Sequence, residues 1–440
     1  MSLKSKFFKN FLFIGNFQLF LIGIFFSGYR TTLPVNVNDS LYQSIPIWAT
    51  PISLGGKIFI DELIILIVLS LFFLRKREVL LLTVDKKIGI TLMFILSYAI
   101  WNGIVSILSG VDVMHDIGRS LRLFLIVVIL LYVGLSSIQN AKKILTVYMI
   151  GVFVGGIVNL FMSLRYPYLV NENLRLHGQN TPGVMMASIV LFALLFFIIK
   201  RNLSVWIIFI YFIMTSIVVG LSYSRTAWLI IISNLPVFLI IMIKNLRFNF
   251  TWKYGFISIC ILILINVSLS KLEIKIGDLF KNIEQLVELK KSNSGDSDDL
   301  RGYYLVSSFQ IATVNPFGVG YSGFYNANKE TKIYMQGKGE IEEGLDANPH
   351  SSFLYSLTAG GFVSFFLSLS IFFLLILLFR DFLHYNFKKN EFLFLMIFAV
   401  TFGIIGISVS YLFNSLVMYL PSIVCYRMKS FSYSSQYNKL

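Results

Sequence analysis

The segment SSFLYSLTAGGFVSFFLSLSIFFLLILLF, residues 351–379, contains no charged side chain. A helix needs about 20 mostly apolar residues to cross the hydrocarbon core of a bilayer, so this segment predicts a transmembrane helix. Its boundaries are polar, because His350 precedes it and Arg380 follows it. Similar apolar segments occur on both sides of it, and together they predict an all-α polytopic membrane protein.

A long polar segment that ends at His350 precedes this helix. We therefore predict three parts of the chain. Transmembrane helices occupy 1–270, one large extracytoplasmic loop carrying short helices occupies 271–350, and further transmembrane helices with a cytoplasmic C-terminus occupy 351–440. Polar groups collect in the loop, so function is expected there.

The composition excludes an ordinary soluble globule, because 56% of the residues are hydrophobic, only 13% are charged and the mean hydropathy is +0.77. Cys260 and Cys425 each lie inside an apolar run, which gives neither a disulfide framework nor metal-ligand spacing. The four histidines are spread along the chain without HExxH spacing, so no metal site is predicted. The sequence has no Walker-type phosphate-binding loop, which argues against an ATP-driven function.

Twelve segments are long and apolar enough to be candidate transmembrane helices. They cover residues 11–27, 57–74, 88–109, 121–136, 144–164, 183–199, 204–221, 226–243, 254–270, 351–379, 391–408 and 410–426. An alternative joins the last two segments into one bent helix, because only the short stretch Ser408–Ser410 separates them.

The orientation follows from the distribution of basic residues. Placing the N-terminus in the cytoplasm assigns 21 of the 37 Lys and Arg residues to inner segments, and each inner loop then carries at least two. We therefore predict a membrane protein with both termini in the cytoplasm and the long loop on the extracytoplasmic side. This topology accounts for the net charge of +15, because most basic residues lie in the inner loops. The charge therefore does not indicate a nucleic-acid partner, and the expected contact is with membrane lipid.

Basic residues are scarce on the predicted outer face, and outside the long loop most of them are arginine. The guanidinium is a planar fork that binds phosphate oxygens bidentately, as an enzyme acting on a lipid diphosphate would need. Each arginine has a structural alternative, which is snorkelling to headgroups or pairing with an acid such as Asp112, Asp116 or Glu172. The residues are Arg30, Lys57, Arg119, Arg122, Arg165, Arg175 and Arg225.

Arg225 lies in the segment SYSRTAW, residues 222–228, between two apolar segments. Its guanidinium must therefore lie at or just inside the membrane interface. A charge is costly there without a partner, which favours a functional role. Ser224 adds a neighbouring hydroxyl group, and Thr226 is suited to cap the next helix.

Arg119 and Arg122 have i,i+3 spacing, which puts both side chains on one helical face. We expect that face to begin the span at 121–136 and to point into the outer interface. Two adjacent guanidiniums repel each other unless an anion lies between them, so the pair predicts anion binding. The structural alternative is pairing with Asp112 or Asp116.

His350 is the candidate general base. Asn348 and Pro349 precede it, and a helix is expected to begin at once with Ser351. A neutral imidazole at this position can take a proton from a hydroxyl group, because the pKa of histidine lies near operating pH.

The chain resembles the O-antigen ligase and O-antigen polymerase superfamily in four short motifs: SRTAW at 224–228, DLR at 299–301, NPFGVG at 315–320 and NPHS at 348–351. The ligase signature of that family is His, then Asn, Ser or Gln, nine residues, Gly, two residues, and Gly, Thr or Tyr. This chain matches it through His350, Ser351 and Gly361, and it departs only in the last place, which is Ser364.

The resemblance implies an inverting glycosyltransferase of GT-C-like architecture that uses no metal and no other cofactor. Its donor would be a glycan on undecaprenyl diphosphate, and its acceptor a glycan or lipid A core. By analogy His350 is the general base, and Arg225 and Arg301 bind the diphosphate. Arg119 and Arg122 join them on the charge argument above. Residues expected to support the site are Ser224, Tyr303, Asn348 and Ser351.

Three functions stay open. A polymerase of lipid-linked repeat units is favoured, because surface-polysaccharide gene clusters hold many divergent chains rich in Phe, Ile and Lys; a chain-length-regulating co-polymerase is then a further candidate partner. The second function is the ligase that transfers finished glycan to lipid A core. The third is a transporter of lipid-linked sugar, which predicts inverted repeats and charges near mid-membrane, and the sequence shows neither.

Overall fold

The computed structural model describes residues 3–30, 53–54, 58–75, 84–165, 181–199, 205–221, 225–245, 297–330, 349, 351–408, 413 and 415–430. These residues are helical, apart from connecting turns and one short antiparallel ladder. In the ladder Ser53–Leu54 (β1) pairs with Ile58–Phe59 (β2).

The described residues form thirteen α-helices. They are α1 (Leu3–Arg30), α2 (Ile60–Arg75), α3 (Lys86–Ser109), α4 (Val113–Leu135), α5 (Ile138–Arg165), α6 (Thr181–Ile199), α7 (Val205–Leu221), α8 (Arg225–Asn245), α9 (Ser297–Val314), α10 (Phe324–Glu330), α11 (Ser352–Asn386), α12 (Glu391–Ser408) and α13 (Leu416–Arg427). Short 3-10 turns follow α11 and α13, at Lys388–Asn390 and Met428–Ser430.

Five stretches of the described chain are long and apolar enough to cross a membrane. They lie in α3, α4, α5, α11 and α12. Shorter apolar stretches lie in α1, α6, α7, α8, α9 and α13. The protein is therefore a helical membrane protein, as its composition predicts. The count of twelve spans stays a prediction, and the segment 254–270 lies outside the described residues.

Several helices differ from the sequence-based boundaries, and two of the differences bear on the site and on the count of spans. α4 begins at Val113, before the predicted start at residue 121, because its polar first turns are covered by a later part of the chain. α12 ends at Ser408 and α13 begins at Leu416, so the last two apolar segments are separate helices. The residues after Arg301 are helical as far as Val314, in α9.

Aromatic side chains fix α6, α11 and α12 against one another. The rings of Phe379 and Phe398 stack with their centroids 4.3 Å apart, and the ring of Phe192 meets both edge-on at 5.7 and 5.9 Å. All three side chains are buried. Such pairs contribute about 0.5–1.5 kcal/mol each beyond the burial of their surface.

The sequence-predicted cytoplasmic residues meet at one end of the bundle. Lys87 forms an ion pair with Asp381, and Asp85 lies 3.6 Å from the ammonium of Lys429. Tyr426 also donates a hydrogen bond to Asp85, at 2.8 Å. α3 has 24 residues, so its other end lies roughly 36 Å away at 1.5 Å per residue. That other end carries the polar residues described next.

Candidate functional site

The transmembrane helix α11 is broken at Gly360 and Gly361, where the backbone leaves the helical conformation. Gly361 has φ +65° and ψ −159°, a region that is essentially restricted to glycine. A Cβ atom there would lie 2.0 Å from the carbonyl oxygen of Pro316, so the turn backbone lies directly against the break.

Residues 315–323 connect α9 to α10, and we refer to them as the 315–323 turn. This turn satisfies backbone groups that the break in α11 leaves without helical partners, which are costly to leave unpaired in a bilayer. The hydrogen bonds run from Val319 N to Thr358 O (2.9 Å), from Gly320 N to Ala359 O (2.9 Å) and from Phe362 N to Pro316 O (3.0 Å). This Pro- and Gly-rich turn therefore bonds to α11 through its backbone.

Asp116 holds the same turn against α4. Its carboxylate is fully buried, and it accepts hydrogen bonds from Ser322 N at 3.1 Å and from Ser322 Oγ at 2.5 Å. The hydroxyl of Ser106 on α3 accepts a longer bond from Tyr321 N, at 3.4 Å. The 315–323 turn is therefore bonded to α3, α4 and α11 together.

Arg119 lies three residues after Asp116, on the same face of α4. Its Nη1 donates a hydrogen bond to the hydroxyl of Tyr355, in the first turn of α11. Its guanidinium carbon lies 5.8 Å from the ring centroids of both Tyr321 and Tyr355, within the range of cation–π attraction. The two rings stack at 5.6 Å, so together they form one wall beside the guanidinium.

An ionic cluster joins α1, α2 and α4, and it contains Arg122, which lies on the same face of α4 as Arg119. Glu62 lies 3.0 Å from a guanidinium nitrogen of Arg30 and 3.0 Å from Nε of Arg122. Asp61 lies 3.1 Å from Arg30, and the ring of Phe59 lies under both guanidiniums, at 4.0 and 5.1 Å. For Arg122 the structure shows the structural alternative to anion binding, which is pairing with an acid. The acid is Glu62 and not Asp112 or Asp116, because the start of α2 lies next to α4.

The N-terminus of α11 is held in place by Ser351. Its side chain accepts a hydrogen bond from Leu354 N at 3.4 Å, as an N-cap does, and donates one to the carbonyl oxygen of Gly406 at 3.1 Å. The helix therefore begins directly after His350, as the sequence predicts. Pro349 and Ser351 are buried, whereas His350 and Asn348 lie outside the described residues.

The other sequence-predicted site residues are described less completely. Arg301 and Tyr303 lie on α9, which packs against α11, and Arg225 is the first residue of α8, which packs against α6 and α12. Nothing is described of these three side chains, and Ser224 lies outside the described residues. The structure brings together Arg119, Arg122 and Ser351 at one end of the bundle.

Buried hydroxyl groups continue this site into the bundle. The hydroxyl of Tyr98 on α3 lies 2.8 Å from Ser356 Oγ on α11. Tyr321 is also fully buried, and burial raises the pKa of its hydroxyl well above its usual value. The hydroxyl of Tyr321 therefore stays protonated at physiological pH. Among the described residues, no group of three or more His, Cys, Asp and Glu side chains is arranged to hold a metal ion.

Sequence reasoning missed three residues of this site. The sequence indicated Asp116 only as a candidate ion-pair partner, although its i,i+3 spacing from Arg119 puts both side chains on one face of the helix. Ser322 and Tyr355 come from distant parts of the chain, so no local pattern points to them. Their contribution depends on the tertiary contact between the 315–323 turn and the break in α11.

The described residues form a bundle of apolar helices. A polar site that contains Arg119 and Arg122 lies at one end of the bundle, next to the break in α11. The chain is therefore a helical membrane protein with a polar candidate site at one end. Residues 210–369 match the family model Wzy_C, described as O-Antigen ligase. The match runs from α7 to beyond the break in α11, and it confirms the resemblance to the O-antigen ligase and polymerase superfamily. No curated protein matches the chain.

Proposed function

We propose that this protein is an inverting membrane glycosyltransferase that polymerises undecaprenyl-diphosphate-linked oligosaccharide repeat units into O-antigen, capsule or exopolysaccharide. The proposed fold is GT-C-like, with about twelve spans in the bacterial inner membrane and both termini in the cytoplasm. The site then faces the periplasm, and membrane lipid surrounds the helices.

The observation that supports this proposal best is the chain of contacts from Arg119 to the residue after His350. Arg119 donates to the hydroxyl of Tyr355, and the backbone N–H of Tyr355 donates to the carbonyl of Ser351 at 2.8 Å. A candidate phosphate-binding guanidinium therefore contacts the first turn of the helix that follows the candidate base. Diphosphate binding and proton removal are needed side by side in this reaction.

In the proposed reaction His350 removes the proton from an acceptor hydroxyl. The hydroxyl oxygen forms a bond to the anomeric carbon of the donor sugar from the face opposite the diphosphate. The bond from that carbon to the diphosphate oxygen breaks, and its electron pair leaves with undecaprenyl diphosphate. The configuration at carbon inverts, and the proton remains on the imidazole until it is released to solvent.

Arg225 and Arg301 have the proposed role of binding the diphosphate and stabilising the charge that develops on it, and Arg119 and Arg122 are proposed to assist them. Preorganised guanidiniums can do this because they carry charge at every physiological pH. The diphosphate is already a good leaving group, so the reaction as proposed uses neither a nucleotide nor a metal.

The ligase is the second candidate, and the description of the matched family as an O-antigen ligase favours it. The two reactions share the donor and the proposed site, and they differ in the acceptor. Transport of lipid-linked sugar is the weakest candidate, because the ion pairs described above lie at the two ends of the bundle. A transporter of this kind places its charged site near the midplane.

The test uses purified full-length protein in proteoliposomes with a synthetic undecaprenyl-diphosphate oligosaccharide and no added nucleotide or metal. A ladder of lengthening lipid-linked products supports the polymerase. Product that forms only when lipid A core is supplied supports the ligase and overturns the polymerase. Movement of the intact donor between leaflets, without any new glycosidic bond, would make the protein a transporter.

A further inference from the structure

We propose that Asp116 is a positioning residue for glycan transfer: it holds the 315–323 turn on α4 so that Arg119 keeps its place beside the first turn of α11. This inference rests on the proposed function, because it assigns Asp116 a part in presenting Arg119 to the donor diphosphate. It gives Asp116 no direct contact with substrate.

The burial of Asp116 is the first observation. A buried carboxylate is costly unless hydrogen bonds compensate for the water it has lost. Ser322 supplies two of them, one from its backbone N–H and one from its hydroxyl, so both carboxylate oxygens are used on a single residue of the turn. A neutral amide could not accept both, because its nitrogen is only a donor.

The tightness of the contact is the second observation. Gly320 has φ +80°, and a Cβ atom there would lie 2.5 Å from Ser109 Oγ and 3.2 Å from Asp116 Oδ2. The turn backbone therefore touches the ends of α3 and α4 directly. Because the packing is this close, a shift of the turn backbone would also displace Tyr321 and Ser322.

The third observation connects the turn to Arg119. Tyr355, which accepts the hydrogen bond from Arg119, itself donates to the carbonyl oxygen of Tyr321 at 3.3 Å. The ring of Tyr321 forms the other part of the wall beside the guanidinium. Asp116 therefore acts on Arg119 through the turn: it fixes Ser322, the neighbouring Tyr321 fixes Tyr355, and Tyr355 orients Arg119.

A purely structural role for Asp116 is the competing explanation, and kinetics separates the two. If Asp116 only stabilises the fold, Asp116→Asn lowers the yield and the unfolding temperature but leaves the rate per folded molecule unchanged. If it positions Arg119, the folded variant turns over more slowly and needs more donor. A displacement of about 1 Å can cost roughly 100-fold in rate, so we expect kcat/KM for the donor to fall by about 10- to 100-fold.

The experiment compares Asp116→Asn, Ser322→Ala, the double variant and the matched control Asp112→Asn in proteoliposomes, with rates normalised to folded protein. Asp112 lies just before α4, its side chain is 59% exposed, and its positive φ suits asparagine, so this control should behave as wild type. Ser322→Ala should cost less than Asp116→Asn, because the backbone bond remains. The double variant should resemble Asp116→Asn alone, since both changes break the same contact.

Unchanged kinetics in folded Asp116→Asn would overturn the proposal, as would effects of the two substitutions that simply multiply. If Asp116→Asn does not fold, Ser322→Ala carries the test, and wild-type kinetics in that variant would count against the proposal. Failure of the proposed function looks different, because the wild-type protein itself would then give no glycan transfer in either acceptor format.

Discussion

Replacing Gly361 by alanine tests the junction on which the candidate site is built. The substitution adds a Cβ atom 2.0 Å from the carbonyl oxygen of Pro316, which belongs to the turn backbone and cannot rotate away. It also forces an L-residue into φ +65°, ψ −159°, a backbone conformation that is essentially restricted to glycine. The turn must move or the break must straighten.

The magnitude follows from two contributions. Backbone strain of this kind costs about 1–3 kcal/mol. Separating the turn from the break also loses the hydrogen bond from Phe362 N to Pro316 O, which contributes about 1 kcal/mol. We therefore expect Gly361→Ala to lower the free energy of unfolding by about 2–4 kcal/mol, and to slow glycan transfer because Arg119 loses its wall.

Gly403→Ala on α12 is the matched control. No atom lies within 4 Å of the Cβ position at Gly403, and its backbone is helical, so alanine should be neutral or stabilising by up to about 1 kcal/mol. Unfolding is measured by circular dichroism in mixed detergent micelles, and activity in proteoliposomes. If Gly361→Ala were as stable and as active as Gly403→Ala, the close packing of the turn in the break would be refuted.

Two further predictions concern the arginine-bearing end. Arg119→Lys keeps the charge but loses the planar fork, so kcat/KM for the lipid-linked donor should fall by about 10- to 100-fold, the equivalent of one charge-assisted hydrogen bond, whereas Arg380→Lys at the other end should change nothing. Equal effects of the two substitutions would contradict a local role for Arg119. Glu62→Gln should lower stability by about 1–2 kcal/mol and also lower the KM for donor, because Arg122 no longer pairs with a carboxylate. A higher or unchanged KM would indicate that Arg122 is structural.

The helices themselves could be predicted from the sequence, because a bilayer requires long apolar stretches and backbone hydrogen bonds within each segment. Hydropathy alone placed α3 and α12 almost to the residue. It placed the start of α4 too late, because the polar first turns around Asp116 resemble a loop. Their polar groups are paired with Ser322, more than 200 positions away in the chain, and hydropathy cannot detect such a partner.

The candidate site, like the fold, could be predicted from the sequence only in part. The glycines of the 315–323 turn and of the break in α11 belong to short motifs that the sequence shows. The sequence could not reveal that the turn packs against the break. The i,i+3 spacing of Arg119 and Arg122 correctly put them on one face, whereas the partners Tyr355 and Glu62 follow from tertiary contacts. The roles of His350, Arg225 and Arg301 stay predictions.

The measurement that tests the central claim most directly is the initial rate of glycan transfer by His350→Ala, compared with His384→Ala. His384 lies near the other end of α11, where its ring nitrogen is 2.9 Å from Glu391, so it serves as a histidine control remote from the site. A general base contributes about 100- to 10,000-fold to rate, and we expect His350→Ala to lose at least the lower of these factors while His384→Ala keeps wild-type activity. Full activity in folded His350→Ala would contradict the account, and the base would then have to be another group at this end of the bundle.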